Sequence, residues 1–383
     1  MRYRHLFLGL LTANAASLLF FYGCDLKSGG DGSDAGPTPD SSIDTGVDSG
    51  PGGECEGVDL QTDRENCGVC KRSCLGSACN AGQCVPTRFA AIANAGEFAV
   101  DDAGAVVVQV PPPNGSDGDV YYASFSADGG TIRLVVGAEL PLGPSTDGTS
   151  ACWGNGGRVT CSSLDGGNSR SSATGENGPK STLILGDTVY WINNGPGDIK
   201  KFPLAGGAKT VVASGGGITG SHSLVVDGTR LVWVVAPTKA VVTAPVDGDG
   251  GSPIVLGTIP AGTPNAVAVG TDHYYIAAQN ASASELGGIY RVAKNATGGP
   301  AELVMRQSLV DPSIVVVSDF VYYTNKVDEG AVYRFKVGDT PPDGGPPAFV
   351  SAQPSPKAVR AGADGFIYWT NSVADGGLMR VAK

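Results

Sequence analysis

The sequence predicts an all-β protein: a β-propeller of seven four-stranded blades, with six as the alternative, preceded by a small disulfide-rich module and a disordered linker. Three observations carry this prediction. An apolar unit marked by aromatic residues recurs from residue 87 to the end of the chain. The 383 residues include 58 glycines and only 16% charged residues, a balance that suits short strands and tight turns rather than long Lys- and Glu-rich helices. Six cysteines crowd into residues 55–84.

The first 23 residues have the form of an export signal. Arg2, Arg4 and His5 make a basic start, and residues 6–22 are uncharged and mostly apolar. A retained membrane span of marginal length is one alternative. Phe21-Tyr22-Gly23-Cys24 resembles a lipobox, with Gly in the place before the cysteine. The resemblance implies cleavage before Cys24, lipidation of its sulfur, and anchoring to a bacterial membrane. Conventional cleavage near Ala13-Asn14-Ala15, giving a secreted protein, is the rival. Cysteine arithmetic agrees with lipidation: of nine cysteines, six form the cluster, two form a pair, and Cys24 is left over. Acyl chains contributing about 0.8 kcal/mol per buried CH₂ make such an anchor firm.

Residues 24–54 form the linker. They hold six Asp, one Glu and one Lys, which is over half of the formal net charge of −11. With almost no large apolar side chains they cannot offset the entropy of ordering. The Asp residues lack the alternate spacing of a calcium loop, so a solvated, self-repelling tether is the reading. No Lys/Arg cluster offers a nucleic-acid footprint, and no nucleic-acid partner is expected.

Residues 55–86 form the cysteine module, with Cys55, Cys67, Cys70, Cys74, Cys79 and Cys84. So short a segment has no core of its own and needs covalent or metal staples. The Cys67-Gly68-Val69-Cys70 spacing would serve zinc or a redox centre. Export favours disulfides, because the compartment outside the inner membrane is oxidising. Six cysteines allow 15 pairings, and the sequence does not choose among them. The run from Val58 through Asp59, Leu60, Thr62, Asp63 and Asn66 to Cys67 and Gly68 resembles a cysteine-rich module of bacterial envelope proteins, which implies no activity.

Residues 87–383 carry the repeats. Thr188-Val189-Tyr190-Trp191-Ile192-Asn193, Phe320-Val321-Tyr322-Tyr323-Thr324-Asn325 and Phe366-Ile367-Tyr368-Trp369-Thr370-Asn371 show the unit plainly, each followed by a polar loop and a second strand. The second residue of each aromatic doublet gives a ruler: Val108, Trp153, Trp191, Trp233, Tyr275, Tyr323 and Trp369, spaced 45, 38, 42, 42, 48 and 46. Four-stranded blades need that period, and the Val-, Tyr- and Thr-rich segments are too short for helices. The chain stops after the third strand of its last unit. The surplus apolar run from Thr87 to Ala93 is the predicted source of the missing outer strand. Six blades follow only if the first unit, broken at Pro111-Pro112-Pro113, is incomplete.

The Tyr-Trp-Thr-Asn run at residues 368–371 resembles the Tyr-Trp-Thr-Asp repeats of the low-density-lipoprotein-receptor propeller class, with Asn in place of the class Asp. Residues 190–193 and 322–325 match more loosely. The resemblance implies the fold and no receptor role.

Cys152 and Cys161 flank a hairpin turning at Gly156-Gly157, which sets them opposite each other and predicts a cross-strand disulfide. Chemistry-bearing residues are few. His222 sits where the chain enters an inner strand and is the one candidate acid–base group; a solvated loop histidine is the plainer reading, as it is for His273. Asn193, Asn325 and Asn371 recur at loops on one face, where structural hydrogen bonding between blades is the first reading and ligand binding the second. No metal site or cofactor is expected. The sequence thus points to a monomeric, membrane-anchored binding or scaffold protein with an unidentified protein or glycan ligand. A propeller lyase or hydrolase acting on envelope or extracellular polymer is the alternative.

Overall fold

The computed structural model describes residues 55, 57–111, 115–126, 130–167, 170–195, 197–215 and 220–383. The signal segment, Cys24 and the linker lie outside the described residues. Within them there is no helix, and seven four-stranded antiparallel sheets follow one another along the chain. Blades 1 to 6 comprise residues 95–139, 142–174, 179–214, 221–258, 263–306 and 314–353. Each takes its strands in sequence order from the channel outward. The first unit is a complete blade despite its prolines, so the count is seven.

Blade 7 closes the ring. Its three inner strands are Pro356–Ala361, Phe366–Asn371 and Gly377–Ala382, and its outer strand is Thr87–Ala91. Thr87 lies opposite Arg380 and Ala91 opposite Gly377, as the surplus apolar run predicted. The two ends of the repeat region therefore share one sheet.

The second strand of each blade makes the core by facing both ways. Its alternate side chains reach the preceding and the following blade. Trp191 packs on Val159 and Ala173 of blade 2, while Tyr190 and Ile192 pack on Leu231 and Val235 of blade 4. Trp153, Trp233, Tyr323 and Trp369 likewise pack backward, and none of the four tryptophans has any exposed surface. Two marks of the sequence ruler are one residue out. Val107 and Ile276, not Val108 and Tyr275, occupy the backward-facing position: Val107 packs on Phe366 and Tyr368 of blade 7, and Ile276 on Val232 and Val241 of blade 4. The cause is the two-residue period: an aromatic or β-branched doublet does not reveal which member faces which way.

The cysteine module is held by Cys55–Cys70, Cys67–Cys79 and Cys74–Cys84, and blade 2 by Cys152–Cys161. Cys152 and Cys161 are directly opposite across the strand pair. Cys67 and Cys70 join different partners, so the spacing between them serves neither redox chemistry nor zinc. Cys67, Cys74 and Cys84 do place their sulfurs within 4.8 Å of one another, but each is spent in a disulfide. Four disulfides suit a chain that folds outside the reducing cytosol.

The module packs against blades 6 and 7. Its cysteines join a cluster with Tyr322, Trp369 and Val381, and Leu75 lies 3.0 Å from the position a Cβ on Gly365 would take. Gly365 is in the turn between the first two strands of blade 7. The opposite face carries the loops that leave the second strands together with the crossovers between blades, as when Ser372 N–H donates to the Ser355 carbonyl at 3.0 Å. The module thus sits on the face away from these loops.

Replacing Cys152 and Cys161 together by Ala removes a short covalent loop of sequence separation 9. Urea unfolding is expected to show a loss of about 2–3 kcal/mol with the fold retained.

Candidate ligand-binding channel

The first strands of the seven blades surround a cavity of about 700 Å³. Each first strand is hydrogen-bonded on one side only, and near its start the pairing is interrupted by a bulge in blades 1 to 5 and 7. Ser181 and Ser223 take left-handed φ values of 50° and 57° there. At the matching place in blade 2 stands Gly143, where a Cβ would lie 2.1 Å from the Ser181 nitrogen; only glycine fits.

Peptide groups at and beside the bulges are satisfied between blades. Gly143 N–H donates to Glu97 Oε2 at 2.6 Å, Ser223 N–H to Ser181 Oγ at 3.2 Å, Val267 N–H to Ser223 Oγ at 3.0 Å, and Val359 N–H to Ser313 Oγ at 3.2 Å. In each case a side-chain oxygen of one blade receives an N–H of the next. The threonines of the aromatic signature do a second version of this. Thr324 accepts from Ser313 N–H at 3.0 Å and donates to the Lys357 carbonyl at 3.0 Å. Thr370 accepts from Ala358 N–H at 3.3 Å and donates to the Gly96 carbonyl at 2.7 Å across the closure of the ring.

The asparagines of the signature serve the crossovers. Asn193 Oδ1 accepts from Asn177 N–H at 2.8 Å, and Asn325 Oδ1 from Val310 N–H at 2.9 Å. Asn371 Nδ2 donates to Gln353 Oε1 at 3.1 Å, leaving its Oδ1 buried without a partner. A third recurring contact was not anticipated from sequence. Trp191 Nε1 donates to Glu176 at 3.4 Å, Tyr323 Oη to Gln307 at 2.6 Å, and Trp369 Nε1 to Gln353 at 3.0 Å, at sequence separations of 15, 16 and 16. An acid or amide at that offset before the aromatic was the available signal. Burial raises the Tyr323 hydroxyl well above the usual tyrosine range, so it remains a donor. Trp153 and Trp233 have no such partner, and their indole nitrogens are buried and unpaired.

Charge gathers at the end of the channel where the first strands begin. Lys180 and Lys357 line it together with Glu97 and Asp311, and Arg360 lines the channel further in. Lys326 adds a further cation, 3.2 Å from Asp311 Oδ2, with Lys357 at 3.8 Å. Four cations thus face two carboxylates, in a chain whose net charge is −11. Burial pushes the Asp311 carboxyl up, but Lys357, Lys326 and the Asn265 amide outweigh it and leave it below the usual range. Burial draws Lys180 down, and the Glu97 charge opposes it. Below this rim Arg360 donates to Ser313 Oγ at 3.2 Å and to the Val359 carbonyl at 2.8 Å, with its guanidinium 5.8 Å from the Phe98 ring.

The backbone of His222 lies on the first strand of blade 4, opposite Val234. By strand pairing it shares the register of Lys180 in blade 3, and Asn265 and Lys357 fall at the bulges of their own first strands. Its side chain is outside the described residues. His273 starts the second strand of blade 5, away from this ring.

No protein-family model matches the chain, and no curated protein matches it in sequence. Solved structures match in fold. The chain is similar to YCF48 bound to D1 peptide, with 11% identity and a TM-score of 0.54 over 78% of this chain and 94% of that one. It is similar to the WD40 β-propeller domain of Doa1, with 11% identity and a TM-score of 0.53 over 78% and 97%. It is also similar to the computationally designed Ika8 protein, with 11% identity and a TM-score of 0.53 over 80% and 89%. At such identity the likeness shows the fold alone. The class defined here is a disulfide-stapled, seven-bladed β-propeller.

Two measurements check the energetics. Thr370→Val leaves the Gly96 carbonyl and the Ala358 N–H without their partner and is expected to cost about 2 kcal/mol or more in denaturant unfolding. Asp311 has a lowered pKa when folded, so its contribution is present above the ordinary Asp pKa of about 3.9 and is lost as pH falls through the lower folded value. Melting temperature should therefore fall less steeply between about pH 5 and pH 2 in Asp311→Asn than in the parent.

Proposed function

We propose that the protein is an exported binding or scaffold module, lipid-anchored through Cys24 to a bacterial membrane, whose propeller engages a protein or glycan on its loop-bearing face. The observation that carries the binding reading is the channel rim: a net cationic ring at the mouth of an open cavity in an otherwise acidic chain. Propeller loops that crowd one face around a channel are placed to bind. The apolar run at residues 6–22, the odd cysteine and the four disulfides support export and anchoring. The position of the cysteine module, on the face away from the loops, supports an outward-facing mouth.

A propeller lyase or hydrolase is the rival, because the backbone of His222 shares the rim register of Lys180, in a ring that also holds two carboxylates. The two readings part on one experiment. The mature chain from Cys24 is immobilised and exposed to solubilised envelope and extracellular polymer. Capture of one protein or glycan, lost when the loops at residues 109–119 and 278–288 are trimmed, is the expected result. Release of small products without capture, abolished by His222→Ala, overturns the binding reading in favour of the enzyme. Labelled palmitate should enter the parent chain in a lipidating bacterial host and not Cys24→Ser; label in neither removes the anchor from the proposal.

A further inference from the structure

The channel has an uneven interior. Arg360 occupies the first-strand position that pairs with Tyr368 of its own blade. The matching positions in the other blades are Ala99, Ser145, Leu183, Val225, Ala268 and Val315, each paired with the equivalent residue of its second strand. All seven line the cavity, and the Ser145 hydroxyl is engaged with Thr182. One guanidinium therefore stands in a layer that is otherwise aliphatic but for Ser145, one step below a rim that holds Lys180 and Lys357. Serine and a backbone carbonyl hold only its Nη1, on the wall side.

A cation in a mostly apolar layer, held by neutral groups and with Glu97 as the carboxylate that acts on it, is completed by a further anion. The local excess of positive charge is modest and is partly met by Glu97 and Asp311, which suits a single negative charge better than a dianion. A guanidinium presents paired N–H donors that match the two oxygens of a carboxylate. The aliphatic stretch of wall formed by Leu183, Val225, Ala268 and Val315 suits carbon better than further charge. A cavity of about 700 Å³ lies within the range that holds small ligands.

We infer that the channel receives a carboxylate carried on a slim apolar body, with the carboxylate held by Arg360 and Lys180 and the body against Leu183, Val225 and Val315. This deepens the binding reading given above and rests on it. The chemistry is shared by a free organic acid and by the C-terminal end of a polypeptide, and the test separates the two.

Calorimetric titration of the full mature chain uses four probes: hexanoate, 1-hexanol, an acetylated tripeptide ending in leucine as its free acid, and the same tripeptide as its amide. Saturable one-to-one binding of hexanoate is expected if the source is a small acid, or of the free-acid tripeptide if it is a chain end. Neither uncharged counterpart should bind. Arg360→Gln should weaken the binding at least about tenfold, the loss of a charged hydrogen-bonded contact. Lys180→Gln, at the rim, repeats the test should Arg360→Gln fail to fold. Equal binding of acid and neutral probes, binding unchanged in both variants, or no saturable binding of either acid overturns the inference. A partner captured through the outer loops and indifferent to Arg360→Gln would leave the broader binding reading standing without it.

Discussion

The innermost strand of every blade has a sheet partner on one side only, and its other edge faces a channel. Peptide groups on that edge must find partners or forfeit stability comparable to a lost hydrogen bond. This chain meets the demand by reaching across from blade to blade. Glu97, Ser181, Ser223 and Ser313 occupy one register and perform one task, and Thr324 and Thr370 repeat it a step away. The bulges, the left-handed serines and the close approach at Gly143 follow from the same requirement. Because each link joins neighbours, the ring is a chain of pairwise contacts, and the Thr370 bond to the Gly96 carbonyl adds the one between blade 7 and blade 1.

Most of the architecture was legible in the sequence because it rests on local signals. Aromatic doublets, Gly/Asp turns and the two-residue period mark a second strand without help from the rest of the fold, and the unfinished last unit points to its own missing strand. Cysteine parity separated Cys24 from the other eight. What was not legible depends on distance or on parity. The offset at Val107 and Ile276 reflects a doublet that reads equally well in either phase. The three pairings of the cysteine module depend on how its loops cross, which spacing does not encode. Glu176, Gln307 and Gln353 look like ordinary crossover residues until the aromatic of the next blade arrives beside them.

The rim was illegible for a third reason. Lys180 and Lys326 stand alone in the sequence, Lys357 and Arg360 are three residues apart, and the four never form a basic run. Ring closure alone brings blade 3 and blade 7 to a common centre. A charge census of the chain reports an acidic protein, while the wall of its channel carries the opposite sign. Low-dielectric walls concentrate such a field along the axis, so the local potential there is set by few residues and not by the net charge. Glu97 and Asp311 temper it, and both also hold structure: one receives the Gly143 N–H, the other orders Lys326, Lys357 and Asn265.

The outer strand of blade 7 has a mechanical consequence. Thr87, where the chain enters the propeller, pairs beside Arg380 near the face that holds the cysteine module, and Ala91 pairs beside Gly377 near the loop-bearing face. A pull on the chain ahead of Thr87, directed away from the mouth, runs along this strand and not across it. The hydrogen bonds between Thr87–Ala91 and Gly377–Ala382 are then loaded together in shear instead of being opened one at a time. The three disulfides of the module keep residues 55–84 from paying out as slack. The same strand that closes the ring is thus oriented to carry load.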